Sequence, residues 1–106
     1  MAISKEIQQR VHEEVDSFNA ANFTGEDIEY KATIKGNFVY LSRRSYSVET
    51  KICRLKYTGD FNGWIFAIYK YSNENYDPDE LFFPGMGLED GTIKGAMAAG
   101  MEAYPL

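Results

Sequence analysis

The residues in this chain with chemistry to offer are cations interleaved with rings. Lys31 and Lys35 stand at an even spacing, as do Arg54 and Lys56 further on, and Lys70 follows in the run Gly-Trp-Ile-Phe-Ala-Ile-Tyr-Lys-Tyr. Along an extended chain, residues two apart point to the same side. Parity then gathers Lys31, Lys35, Arg54, Lys56 and Lys70 on one sheet face with Trp64 and Phe66, and with Phe38 and Tyr40 if their strand falls in the same register. Such a face can stack unpaired bases on its rings while its cations neutralise phosphates. The same rings can equally face the core or a second subunit, with the lysines as ordinary solvated residues.

Other arrangements carry less. Asn73, Asn75, Asp77 and Asp79 alternate side-chain oxygens as a calcium loop does, but Pro78 and Pro84 fall where such a loop needs its glycine and its bidentate glutamate. The glycines between Pro84 and Gly91 precede a helix, yet their spacing fits no phosphate fingerprint, and Glu89 and Asp90 put negative charge where a phosphate would sit. His12 reads as a surface histidine beside Asp16, and Cys53 alternates with Leu55 and Tyr57 as a buried thiol does. One histidine and one cysteine assemble neither a triad nor a zinc site. No catalytic residue, metal ligand or cofactor is assigned. An enzyme would have to set the acids of the loop 72–91 against Arg43 or Arg44, the only cleft the sequence offers.

At 106 residues the chain is long enough for one core without a metal or disulfide staple. Its 15% aromatic content argues for a packed fold over disorder. The lone Cys53 makes no internal disulfide, and neither a signal peptide nor an apolar run of bilayer length is visible. A soluble, cytoplasmic protein with no membrane partner is expected. The net charge of −5 conceals a segregation: Lys31 to Lys70 holds eight basic residues against two acids, and the rest holds three against fourteen. Either an anion meets the basic centre, or the acidic ends neutralise it within the fold.

These residues must be positioned by regular elements. Ile7, Val11, Val15 and Phe18 form the stripe of an amphipathic helix from Ser4, its N-cap, to about Ala20. Ile28 to Lys35 alternates as a half-buried strand, and Gly36-Asn37 turns it into a second, Phe38 to Arg43. A third strand, Lys51 to Thr58, follows a polar loop with Arg44, Ser45 and Ser47. Turn chemistry at Thr58 to Gly63 leads into the apolar run Gly63 to Tyr71, which reads as the central strand because both its parities are apolar. Ser72 to Gly91 lacks periodicity, though Leu81-Phe82-Phe83 suits the core or a short edge strand. Thr92 to Tyr104 is a second helix, whose Gly95 and Gly100 each cost about 1 kcal/mol against alanine and so imply a close neighbour, expected beside Ala67.

The series Trp64-Ile-Phe-Ala-Ile-Tyr-Lys, Tyr76-Asp-Pro, Phe83-Pro-Gly and Gly91-Thr followed by Gly95-Ala-Met resembles that of small uncharacterised bacterial proteins of similar length. The resemblance spans about the second half of the chain, implies no activity and transfers no functional residue.

The expected fold is a single α+β domain of two layers, a four-stranded antiparallel meander with an N-terminal and a C-terminal helix on one face. The expected function is binding, through Lys31, Lys35, Tyr40, Arg54, Lys56, Trp64, Phe66 and Lys70 together with the loop from Tyr76 to Gly91. The face admits a single-stranded nucleic acid, another anion or a protein partner, including a second copy closing a homodimer.

Overall fold

The computed structural model describes residues 2–72, 74–78 and 86–105. Ser4 caps the first helix, accepting from the Ile7 amide at 3.3 Å, and α1 runs Lys5–Asn22 with Val11, Val15 and Phe18 buried. Four strands follow: β1 Ile28–Lys35, β2 Phe38–Ser45, β3 Val48–Lys56 and β4 Ile65–Lys70. A fifth, β5 Asn75–Asp77, adds to β4 from the stretch that lacks periodicity in sequence. Three residues are too few to show a period, so pairing alone identifies this strand. After a 3₁₀ turn at Met86–Leu88 comes α2, Ile93–Ala103, whose cap is Thr92.

All neighbouring strands are antiparallel and lie in chain order, an open five-stranded meander with the helices on one side. The fold is α+β, as the alternation of β1 and the stripe of α1 predict, with five strands in place of four. Two of the connections are tight. Gly36 takes φ +60° in the β1–β2 turn, and Tyr46 and Ser47 take φ 48° and 76° between β2 and β3. The second turn replaces the expected polar loop: β2 continues through Arg44 and β3 begins at Val48. Left-handed backbone at both central positions matches the twist of a two-residue hairpin, which offsets its cost in non-glycine residues.

The core fills the space between helices and sheet. Val11, Val15 and Phe18 of α1 and Ile93, Ala96 and Met97 of α2 meet Tyr30, Val39, Leu41, Ile52, Cys53 and Leu55. Asn19 seals the edge of β1, since its Nδ2 donates to the Tyr30 carbonyl at 3.1 Å while the Tyr30 amide donates to its Oδ1 at 2.8 Å. The Tyr30 hydroxyl donates to the Met97 carbonyl of α2 at 2.8 Å, tying both helices to one residue of the sheet.

Gly100 shows why α2 tolerates glycine. A methyl there would overlap Ile52 Cγ2 and come within 2.6 Å of Tyr30 Oη. At Gly95 it would overlap Asp90 Oδ1 in the chain just before the helix. The close neighbours are thus β1, β3 and the capping loop. Ala67, the expected neighbour, lies on the other side of the sheet.

Candidate functional site

The face of the sheet away from the helices follows from the register. Lys31 stands across from Ser42, which stands across from Lys51; Thr33, Tyr40, Arg54 and Ala67 form the next row; Lys35, Phe38, Lys56 and Ile65 form the last. A β-bulge makes this arrangement possible. Pairing shifts between Leu41 and Ser42, leaving Ile52 as an extra residue in β3, so Ile52 and Cys53 are both fully buried and Lys51 turns outward. Strict alternation from Leu55 and Cys53 would have placed Lys51 toward the core and Ile52 outward, which is why Lys51 escapes a parity reading.

Lys31, Lys35, Tyr40, Arg54 and Lys56 lie on this open face. Trp64, Phe66 and Lys70 do not. Trp64 is 2% exposed, against Tyr57 at 4.9 Å and Phe61 at 6.0 Å between ring centres, and its amide donates to the Gly91 carbonyl at 2.9 Å. Phe66 pairs with Leu55 and packs on the core, and Lys70, on the same parity, lies 3.8 Å from Asp77. The opposite parity of β4 faces outward: Ile65 is 49% exposed, and Ala67 and Tyr69 are on that side. A run apolar on both parities carries no internal sign of which side meets the helices, and here the even residues do.

Ala67 is 2% exposed although, among the described residues, no helix covers its side. Tyrosines take the place of a second layer. Tyr69 is paired with Tyr76 of β5, and ring contacts run from Tyr40 to Tyr76 at 5.5 Å, Tyr76 to Tyr69 at 4.9 Å, Tyr69 to Tyr71 at 4.6 Å and Tyr71 to Tyr104 at 5.6 Å. Every one is edge to face, the geometry that ring quadrupoles favour. Cations lie over this row: the Arg54 guanidinium 4.9 Å from the Phe38 ring and 5.7 Å from Tyr76, and Lys51 Nζ 5.3 Å from Tyr69. Tyr69 and Lys51 are the members of the face that sequence reasoning missed, whereas Tyr76, expected there as the start of a loop, joins it from β5. Their alternation across β4 and β5 is visible only once β5 is recognised as a strand.

The charge of the face is opposite to that of the chain. Among the described residues it carries Lys31, Lys35, Arg44, Lys51, Arg54 and Lys56 against Glu29, Glu49 and the Asp27 that pairs with Arg44, a balance of three positive charges, while the chain totals −5. Arg44 bonds Asp27 at 2.8 Å and Glu29 at 3.4 Å, and Lys31 lies 3.5 Å from Glu49. Ion pairing among the described residues leaves Lys35, Lys51, Arg54 and Lys56 without a carboxylate. A groove of about 350 Å³ lies beside two of them, Lys35 and Lys51, and is lined also by Thr33, Tyr40, Leu41, Ser42, Glu49 and Tyr76. Partial burial among neighbouring phenols pushes Tyr76 up to about 12, so it stays neutral at physiological pH.

The alternative sites do not assemble. Arg43 is 3% exposed on the helix side, donating to the Tyr104 carbonyl and to Met101 Sδ, and Arg44 is held by Asp27 and Glu29; neither faces a cleft with loop acids among the described residues. Asn75 and Asp77 belong to β5, while Asn73, Asp79 and Leu81-Phe82-Phe83 lie outside the described residues. No group of metal-ligating side chains occurs among the described residues, and no helix among them is long and apolar enough to cross a membrane. Burial drives the Cys53 thiol far above its ordinary range, which makes it a core atom with no nucleophilic character.

Comparison with protein-family models, with curated proteins and with solved structures gives no match.

Proposed function

We propose that the open face of the sheet binds a single-stranded nucleic acid. The observation that carries this reading is the charge inversion: a chain of net −5 gathers, among the described residues, a positive balance on the sheet face away from α1 and α2 and lays Lys51 and Arg54 over its rings. Cations track a phosphate backbone, and rings with a planar guanidinium accept bases without needing sequence. Attraction by the protein's overall charge cannot produce such binding, since that charge repels a polyanion.

Titration of a labelled short oligonucleotide by fluorescence anisotropy tests the reading. Binding should weaken with salt at a slope of about −2 to −3 in log K against log salt, as expected for about four phosphates neutralised on a single strand. Lys35→Glu with Lys51→Glu should abolish it while lowering stability by no more than about 1 kcal/mol, the value of the Lys51–Tyr69 contact that is lost. An absence of binding at low salt, or binding indifferent to those substitutions, overturns the proposal.

A second reading is favoured by Ile65 and Tyr71, each about half exposed and large. In it the face meets a protein, including a second copy of this chain. Sedimentation at several concentrations separates the two: a salt-resistant dimer disrupted by Ile65→Lys would displace the nucleic-acid reading, and a monomer throughout would remove the homodimer.

A further inference from the structure

Phosphate neutralisation requires only cations, yet the groove on the open face also holds a carboxylate, Glu49, and two aliphatic hydroxyls, Thr33 and Ser42. Resting on the nucleic-acid reading above, we propose that this groove is a base-reading subsite in which Glu49 selects an amino-bearing pyrimidine, so that the face prefers cytosine to thymine.

The dimensions of the groove suit one base. Its volume of about 350 Å³ lies at the lower end of small-ligand sites, enough for a single nucleotide and too little for several stacked bases. Tyr40 and Tyr76, 5.5 Å apart between ring centres, supply flat apolar surface beside it, and Lys35 and Lys51 stand ready for the flanking phosphates. Glu49 then becomes the group that reads. Its partner among the described residues is Lys31 at 3.5 Å, with both side chains about half exposed. Exposed ion pairs are weak, so the carboxylate can exchange that contact for a better donor at little cost. An exocyclic amino group on the base edge is such a donor, and cytosine N4 is the usual partner of an acidic side chain. Thymine presents the O4 acceptor in the same place and would meet Glu49 as one lone-pair set meets another. Thymine also differs from cytosine by its C5 methyl group and its N3–H donor, so the variant Glu49→Gln, which changes the carboxylate alone, isolates the contact with the amino group.

The test uses labelled oligocytidylate and oligothymidylate of equal length in low-salt, mildly alkaline buffer, where cytosine is unprotonated. The wild-type chain should bind the cytosine strand at least about tenfold more tightly, as a single well-made base contact provides. Glu49→Gln, whose amide both donates and accepts, should bring the ratio close to one while strengthening binding of thymine. Lys31→Ala should weaken both strands and preserve the ratio. Equal, salt-dependent binding of both strands by the wild type, or a ratio unchanged in Glu49→Gln, overturns the inference and leaves the nucleic-acid reading standing. Binding of neither strand overturns both.

Discussion

The guanidinium of Arg54 lies 5.7 Å from the ring centre of Tyr76, two strands away across Ala67. Only a small residue at position 67 leaves room for this approach. The contact ties the three-residue edge strand β5 to the centre of the sheet and places a positive charge on the rings. Arg54→Met keeps much of the side-chain bulk and removes the charge. Each exposed cation–π contact contributes about 0.5–1 kcal/mol, so the stability loss should stay near 1–2 kcal/mol in urea denaturation. Oligonucleotide affinity at low salt should drop, with the salt slope reduced by roughly 0.7. An unchanged slope would mean that Arg54 serves packing alone.

Trp64 belongs to the core, and its substitution should be felt there. Trp64→Ala is expected to cost about 3–5 kcal/mol, the usual range for a buried ring. Native emission should be blue-shifted, resistant to iodide and indifferent to added oligonucleotide. A red-shifted, quenchable signal would contradict the burial on which this rests.

Asn19 closes two backbone hydrogen bonds of an edge strand with one amide. Asn19→Ala should destabilise by about 1–3 kcal/mol, because a part-buried donor and acceptor lose their partners together. Asn19→Asp should be worse than an isosteric change suggests at neutral pH, since its carboxylate would face the Tyr30 carbonyl. Chemical denaturation of the two variants side by side decides whether the amide acts as a pair of bonds or merely fills space.

Gly100→Ala tests helix propensity against packing. Alanine gains about 1 kcal/mol over glycine in a helix interior, but here the methyl meets Ile52 and Tyr30, both buried. Overpacking of this kind costs about 1–3 kcal/mol, so the melting temperature should fall. A rise would mean that α2 shifts freely away from the sheet.

Alkali should unfold the protein before it titrates the buried phenols. Burial raises Cys53 and Tyr30 far above their ordinary values of 9.0 and 10.0, and raises Tyr76 to about 12. The folded state therefore holds protons that the unfolded state releases. Stability is fully present below pH 9, and is lost progressively as pH rises toward the folded values. Melting temperatures measured from pH 8 upward should fall from about pH 9 to 10. Absorbance of phenolate from the buried tyrosines should appear together with the loss of helical signal. A melting temperature flat across that range would contradict the raised values.

Much of this fold is written locally. The stripe of Val11, Val15 and Phe18 makes α1 wherever it finds an apolar partner, Ser4 starts it, the alternation of Ile28 to Lys35 makes a half-buried strand, and Gly36 turns it back. Each of these rests on a period or a turn preference that neighbouring residues impose by themselves. The orientation of Lys31, Lys35, Tyr40, Arg54 and Lys56 follows from the same alternation. What tertiary structure alone decided is where the alternation breaks and which parity faces in. The bulge at Ile52 depends on the register of β2 against β3 and on the space beneath Gly100, so it sends Lys51 outward against the local pattern. In β4 and the residue before it, Trp64, Phe66 and Ile68 are as apolar as Ile65, Ala67 and Tyr69, and the even set turned inward because Leu55 and Cys53 across the ladder already faced the helices. The row of tyrosines then covered the other side. Periodicity is a property of one strand, whereas a face belongs to the whole sheet, and its members are fixed only when every strand has found its register.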